Sequence, residues 1–179
     1  MNKLVAIVGM CGSGKSIATL FFESKGYSKI YFGGITYEKM KEENIPYTPE
    51  NDNKMRVKIR NEYGMGAYAI LSLPKIKEQI KKSNVVIDGL YSWDEYKILK
   101  DEFPHIKLIA IVVDKEIRYE RLKNRINRNY SIDESIKRDL NEIEKTAKGG
   151  PIAYADYFIL NNYSLEEYKK KLENIIEVI

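Results

Sequence analysis

Short apolar runs punctuate a chain that is otherwise rich in polar residues. Leu4–Val8, Val85–Ile87, Leu108–Val113 and Tyr157–Leu160 stand out, and Lys29–Phe32 is a weaker fifth. Three are continuous rather than alternating, the pattern of strands buried on both faces of a parallel sheet. Helical segments lie between them. S-x-x-E capping boxes at Ser92–Glu95, Ser131–Glu134 and Ser164–Glu167 mark helix starts, and Asp114 can cap the helix after the fourth strand. The pattern Ile17, Leu20, Phe21 gives the first helix an apolar face, and the helix from about Ile132 is predicted to stop at Gly149-Gly150-Pro151. The β-α alternation predicts an α/β layered fold with a parallel sheet.

One stretch breaks the rhythm. Between Phe32 and Val85 about 50 residues carry no strand pattern, whereas a simple crossover needs about a dozen. Residues 33–82 therefore read as an inserted helical module, with helices flanking the loop Ile45–Pro49.

Length and composition narrow the picture. A chain of 179 residues fits one domain, and at that size about 70% of the unfolded surface is buried without staples. The only cysteine, Cys11, excludes an internal disulfide framework, and a single histidine, His105, excludes a His-rich metal site. His105 follows Pro104 and reads as a surface loop residue. The net charge of +4 lacks the dense basic stripe of a nucleic-acid binder, so nucleic acid is not an expected partner. The longest apolar run has six residues, against about 20 for a membrane span. Leu4–Val8 is also too short for a signal peptide. The expectation is a soluble cytoplasmic protein.

Gly9-Met10-Cys11-Gly12-Ser13-Gly14-Lys15-Ser16 matches G-x-x-x-x-G-K-S, the Walker A pattern, between an apolar strand and a helix. Each residue type has its own reason. The glycines allow a tight turn that brings backbone N–H groups onto a phosphate. The helix beginning near Gly14 points its positive end at the same anion. Lys15 reaches the β- and γ-phosphates, and the Ser16 hydroxyl ligates Mg²⁺. The nucleotide-binding set thus runs from Gly9 through Ser16 to Ile17, with ATP and Mg²⁺ as cofactors. Cys11 reads as a small buried side chain within the loop. Asp88, at the carboxyl end of the third strand, faces the crevice where α/β sheets bind ligands. It is a candidate to complete the Mg²⁺ shell or to take the proton of an acceptor hydroxyl.

The arginines are unevenly placed. The chain has 7 Arg among 30 basic residues, and six of them fall in two windows: Arg56 with Arg60, and Arg118, Arg121, Arg125 and Arg128. Where Lys supplies generic charge, Arg marks places that use a rigid bidentate fork. The spacing of the second group predicts one helix face, beside an apolar stripe of Tyr119, Leu122 and Ile126. Met55, Ile59 and Tyr63 form a similar stripe beside Arg56 and Arg60. Arg118 is expected on a solvated face. Arg125 and Arg128, next to the loop that follows, are expected to contact phosphate as catalytic residues. For Arg138, beside Asp139, a structural ion pair and a functional role are equally open.

Taken together, these residues resemble the P-loop nucleoside monophosphate kinase superfamily: Walker A after strand one, a helical insertion after strand two, Asp88-Gly89 after strand three, and an Arg-rich helix and loop after strand four. Ala155–Ser164 is similar to the tail of dephospho-CoA kinases. Ile59-Arg60-Asn61-Glu62-Tyr63-Gly64 and Arg138-Asp139 with Glu142 are similar to motifs of an archaeal adenylate-kinase-related family. The resemblance implies a three-layer P-loop kinase fold with a five-stranded parallel sheet in the order 2-3-1-4-5. It also implies a single domain with an acceptor-binding module at 33–82 and a lid at 125–132, and a contact of Asn161 with adenine. Two positions where the archaeal family carries acceptor-side arginines are Tyr37 and Tyr91 here, and Asp gives way to Gly34. Gly34, Tyr37, Arg56, Arg60 and Tyr91 are the expected substrate contacts, and Tyr37, Tyr91 and Trp93 can stack on a base or ring.

The expected activity is transfer of the ATP γ-phosphate to a small acceptor: a nucleotide, a nucleoside or a dephospho-CoA-like compound. A nucleotide-binding switch or slow ATPase acting on a protein partner is the rival reading. An RNA-modifying kinase is a third, which would require a basic surface beyond the cleft.

Overall fold

The computed structural model describes residues 2–126 and 129–179. Five strands, β1 (Leu4–Val8), β2 (Ser28–Tyr31), β3 (Val85–Asp88), β4 (Lys107–Val112) and β5 (Tyr157–Leu160), form one parallel sheet in the order β2-β3-β1-β4-β5. The central strand β1 pairs Ala6 with Ile87 on one side and with Leu108 on the other. The order is the one the family resemblance implies, and each predicted strand is present within a residue of its expected ends.

The apolar runs are continuous because each strand feeds two cores at period two. Leu4, Ala6, Val8, Val85, Ile87, Leu108 and Ala110 face one layer of helices. Val5, Ile7, Val86, Ile109 and Ile111 face the other. The second layer holds α1 (Lys15–Ser24) and α9 (Leu165–Val178), through Phe22, Tyr168 and Leu172. The first holds α2 (Gly34–Glu42), α3 (Pro49–Tyr63), α4 (Ala67–Gln79) and α5 (Trp93–Glu102), which contribute Met40, Met55, Ile59, Tyr68, Ile76, Tyr96 and Leu99. Three helices, α2 to α4, thus lie between β2 and β3, where the chain lacks a strand pattern.

The three S-x-x-E sequences form reciprocal capping boxes at α5, at α7 (Ile132–Glu144) and at α9. Several details differ from expectation. Asp114 is the N-cap of α6 (Lys115–Lys123), yet its side chain makes no capping hydrogen bond. In α1 the inward face is Ala18, Thr19 and Phe22, while Ile17 and Leu20 are exposed. The Gly149-Gly150-Pro151 stop signal lies beyond the end of α7 at Glu144 and itself opens the short helix α8 (Gly149–Ala153), with proline in its first turn. His105 is exposed, as expected.

Candidate active site

The P-loop joins β1 to α1, and its geometry follows from its glycines. Gly9, Gly12 and Gly14 have φ of 146°, 85° and 99°, a region that side chains disfavour. Space forbids side chains there as well. A Cβ on Gly9 would lie 2.5 Å from the Ile111 carbonyl oxygen, and one on Gly14 would lie 2.6 Å from the Asn161 amide nitrogen.

The loop is braced from three directions. Asn161 at the end of β5 donates through Nδ2 to the Ser13 carbonyl at 2.9 Å. The Tyr168 hydroxyl donates to the Gly14 carbonyl at 3.2 Å. From below, Arg118 Nη1 donates to the Cys11 carbonyl at 3.0 Å. The structure corrects the expectation for Arg118: it is buried, 6% exposed, and pairs bidentately with Asp139 of α7, with its shortest contact at 2.6 Å. The Tyr119 hydroxyl donates to the same carboxylate. The predicted arginine face is also shorter than expected. Helix α6 ends at Lys123, so Arg125 follows the helix rather than lying on it, and Ile126 is fully exposed rather than part of the apolar stripe. Arg128 lies outside the described residues.

One cleft of about 680 Å³ gathers most of the predicted donor-site residues: Cys11, Gly12, Gly14, Lys15, Ser16 and Ile17 from the loop, with Asp88, Tyr91, Arg125 and Asn161. Gly9, Met10 and Ser13 do not line it, although the Met10 carbonyl accepts from Lys15 Nζ at 2.9 Å. Arg121, Arg138, Lys148, Glu142 and Lys29 complete the wall. Sequence reasoning missed Lys148 and Lys29 as site residues and named Glu142 only within a motif resemblance. Lys148 belongs to no motif, and only the turn between α7 and α8 carries it to the P-loop.

The electrostatics are those of an anion site. Burial and the neighbouring Lys148 ammonium lower the Lys15 pKa to about 7. Lys148 is itself lowered by burial, against the pull of Glu142. Its Nζ donates to Glu142 Oε2 at 2.6 Å and lies 4.8 Å from the Tyr91 ring centre. Burial alone would raise Glu142, but Lys148 and Arg138 hold it below the usual carboxylate range. Asp88 is raised by burial, although Lys29 lies 3.7 Å away.

The residues fit a polyphosphate and a magnesium ion. The Ser13 hydroxyl is fully buried and has no hydrogen-bond partner among the described residues. The glycine cradle admits no side chain, and the surrounding cations outnumber the carboxylates. Ser16 and Asp88 supply two hard oxygens in one cleft. That suits Mg²⁺, which keeps several waters and takes the rest of its shell from phosphates. Among the described residues no cluster of three or more His, Cys, Asp or Glu forms a self-sufficient metal cage.

The expected acceptor residues are not gathered in that cleft, apart from Tyr91. Arg56 is half-buried and bidentate with Asp52 at 2.8 and 3.1 Å. Burial opposes its charge, but Asp52 holds it firmly protonated. Arg60 stacks on Tyr68 and lines a second groove of about 810 Å³. Arg138 and Glu142 form the partition between this groove and the donor cleft, since they line both. Gly34 opens α2, and Tyr37 stacks on Tyr47 with ring centres 4.6 Å apart. Trp93 packs against Tyr96 and Tyr154.

Comparison with known proteins agrees with this architecture. Residues 5–145 match the model of an AAA domain family. A UPF0200 protein from Thermococcus sibiricus is 36% identical over 97% of this chain and 94% of its own length. Among solved structures, TT1252 from Thermus thermophilus superposes with a TM-score of 0.66 at 14% identity, covering 99% of this chain and 98% of its own. Shikimate kinase from Bacteroides thetaiotaomicron superposes with a TM-score of 0.62 at 15% identity, covering 98% of each chain. The likeness to both structures is one of fold.

Proposed function

The chain belongs to the UPF0200 family and carries an AAA domain, and from that premise we propose that it is an ATP-dependent phosphotransferase acting on a small acceptor. The acceptor class proposed is a nucleotide, a nucleoside or a dephospho-CoA-like compound, in the cytoplasm. The observation that carries the reading is the convergence of Lys15, Lys148, Arg121, Arg125 and Arg138 on the P-loop cleft opposite Asp88. A fold shared with an enzyme named shikimate kinase supports it.

In this reading the backbone N–H groups from Gly9 to Ser16 hold the donor phosphates, and Lys15 contacts the β- and γ-phosphates. Ser16 and Asp88 would hold the magnesium ion, which would neutralise charge on the donor phosphates. The alternative role for Asp88, whose carboxyl burial raises, is to accept the proton of an acceptor hydroxyl. Arg125 and Arg128, in the proposed lid at 125–132, spread charge on the moving phosphoryl group. Ile17 and Asn161 border the nucleoside side of the donor. On the acceptor side, Arg60 offers a guanidinium in the groove that Arg138 and Glu142 separate from the donor cleft. Arg56, Gly34, Tyr37 and Tyr91 of the proposed module and its neighbours frame the approach.

The test is ADP formation with Mg²⁺ and ATP across a panel of nucleosides, nucleoside monophosphates and dephospho-CoA. One acceptor is expected to raise the rate many-fold above basal hydrolysis. A basal rate that no acceptor changes overturns the reading. One observation favours the rival, a nucleotide-dependent switch acting on a protein partner: Ile132, Ile136, Leu140 and Ile143 leave an exposed apolar stripe along α7, next to the helix turns that carry Arg138 and Glu142.

A further inference from the structure

The two sides of the donor cleft differ in character. Asn161 and Tyr168 approach Ser13 and Gly14 at the start of α1. On the other side Asp88, Glu142 and Lys148 act on the ammonium of Lys15, and Tyr91 and Arg138 line the same cleft. Lys15 is the residue that reaches the terminal phosphates in a P-loop, so this second side is where a third phosphate adds its charge.

Lys148 is unusual within that group. It is 1% exposed, yet it forms part of the cleft floor. Its position is fixed three ways: Nζ donates to Glu142 Oε2, the ammonium lies against the Tyr91 ring, and the Lys148 backbone N–H donates to the Glu142 carbonyl at 3.1 Å. A buried lysine whose task was only to stabilise the fold would be matched by a carboxylate of its own. Here one carboxylate serves two cations, because Arg138 Nε also donates to Glu142 Oε1 at 3.2 Å. With Lys15 added, three basic side chains face one Glu142. Asp88, the second carboxylate of the cleft, is shared between Lys15 and Lys29. Lys148 is the buried member of the set, placed where water screens charge least and charge–charge interactions reach furthest.

We propose that Lys148 is a specificity-determining residue of this cleft, a buried fixed charge aimed by Glu142 that makes the site favour a nucleoside triphosphate over a diphosphate. It acts on the terminal phosphate through its field, from the floor, while Lys15 supplies the direct contact. The assignment rests on the reading of the cleft as the ATP donor site.

The test is equilibrium binding of a non-hydrolysable ATP analogue and of ADP, each with Mg²⁺, to four proteins: wild type, Lys148→Arg, Lys148→Met and the double variant Lys148→Met/Glu142→Gln. The double variant removes the carboxylate that the single one leaves with a lone partner, and Lys148→Arg keeps both charge and ion pair, so folded proteins remain to be compared. The ratio of triphosphate to diphosphate affinity is expected to fall about tenfold in Lys148→Met, which loses one positive charge near the third phosphate, and to stay near the wild-type value in the double variant, where loss of Glu142 offsets it. It is expected to hold in Lys148→Arg. An unchanged ratio in a folded Lys148→Met protein, or a tenfold fall in the double variant, with wild-type binding intact, overturns the role of Lys148 alone. A wild-type protein that binds neither nucleotide overturns the donor-site reading itself, and this assignment with it.

Discussion

Lys15 illustrates how much the cleft asks of single residues. In the fold its pKa is about 7, against an ordinary 10.5. Between those values the native protein binds fewer protons than the unfolded chain, so stability of the nucleotide-free protein rises with pH across that window. Lys148, also lowered by burial, adds to the rise. Glu95 works in a separate window: burial raises it from 4.5 to about 7, so its contribution is present below pH 4.5 and lost as pH climbs to 7. Denaturant unfolding from pH 7 to 10 should show the rise in the wild type and a flatter curve in Lys15→Met. An unchanged curve would mean the ammonium is not desolvated. Phosphate binding reverses the shift, because negative charge favours the protonated amine. Calorimetry at pH 8 in two buffers of different ionisation enthalpy should therefore report proton uptake on nucleotide binding, and identical observed heats in the two buffers would contradict it.

At the scale of elements, the pair Arg118–Asp139 ties α6 to α7 beneath the P-loop. Both side chains are buried, so removing one partner leaves an uncompensated charge. Asp139→Ala is expected to cost about 3 kcal/mol or more, measured by urea denaturation. A loss below about 1 kcal/mol would place the pair among exposed, screened ones. Ser131→Ala, which removes the α7 capping hydrogen bond, should cost only about 1 kcal/mol. These elements also show where the sequence is legible. Strands and capping boxes are local signals, and the two-sided burial of β1, β3 and β4 writes itself as unbroken apolar runs. The fate of Arg118 is not local. Its partner is 21 residues away on another helix, and a spacing argument sees only a stripe of charge. The first helix misleads for a related reason: Ile17 borders the open cleft and Leu20 is exposed, so an apolar residue there need not face the core. The P-loop itself is legible because its chemistry requires consecutive residues, whereas Lys148 and Glu142 become a site only through the turn between α7 and α8.

For the whole molecule, the organising fact is that two cavities meet at one partition. Arg138 and Glu142 line both the P-loop cleft and the groove that contains Arg60. If donor and acceptor occupy these two spaces, Arg60→Ala should raise the acceptor KM or lower turnover by roughly tenfold or more, as loss of a charged hydrogen bond does, with ATP affinity little changed. A fall in ATP affinity instead would put Arg60 on the donor side. The central claim is the transfer itself. Its most direct test is γ-labelled ATP with Mg²⁺ and the acceptor panel, with label traced to product in the wild type and in Lys15→Ala. The account predicts label on one acceptor, well above release of inorganic phosphate, and its loss in a folded Lys15→Ala protein. Label found only in inorganic phosphate with every acceptor, or full transfer by Lys15→Ala, would contradict it.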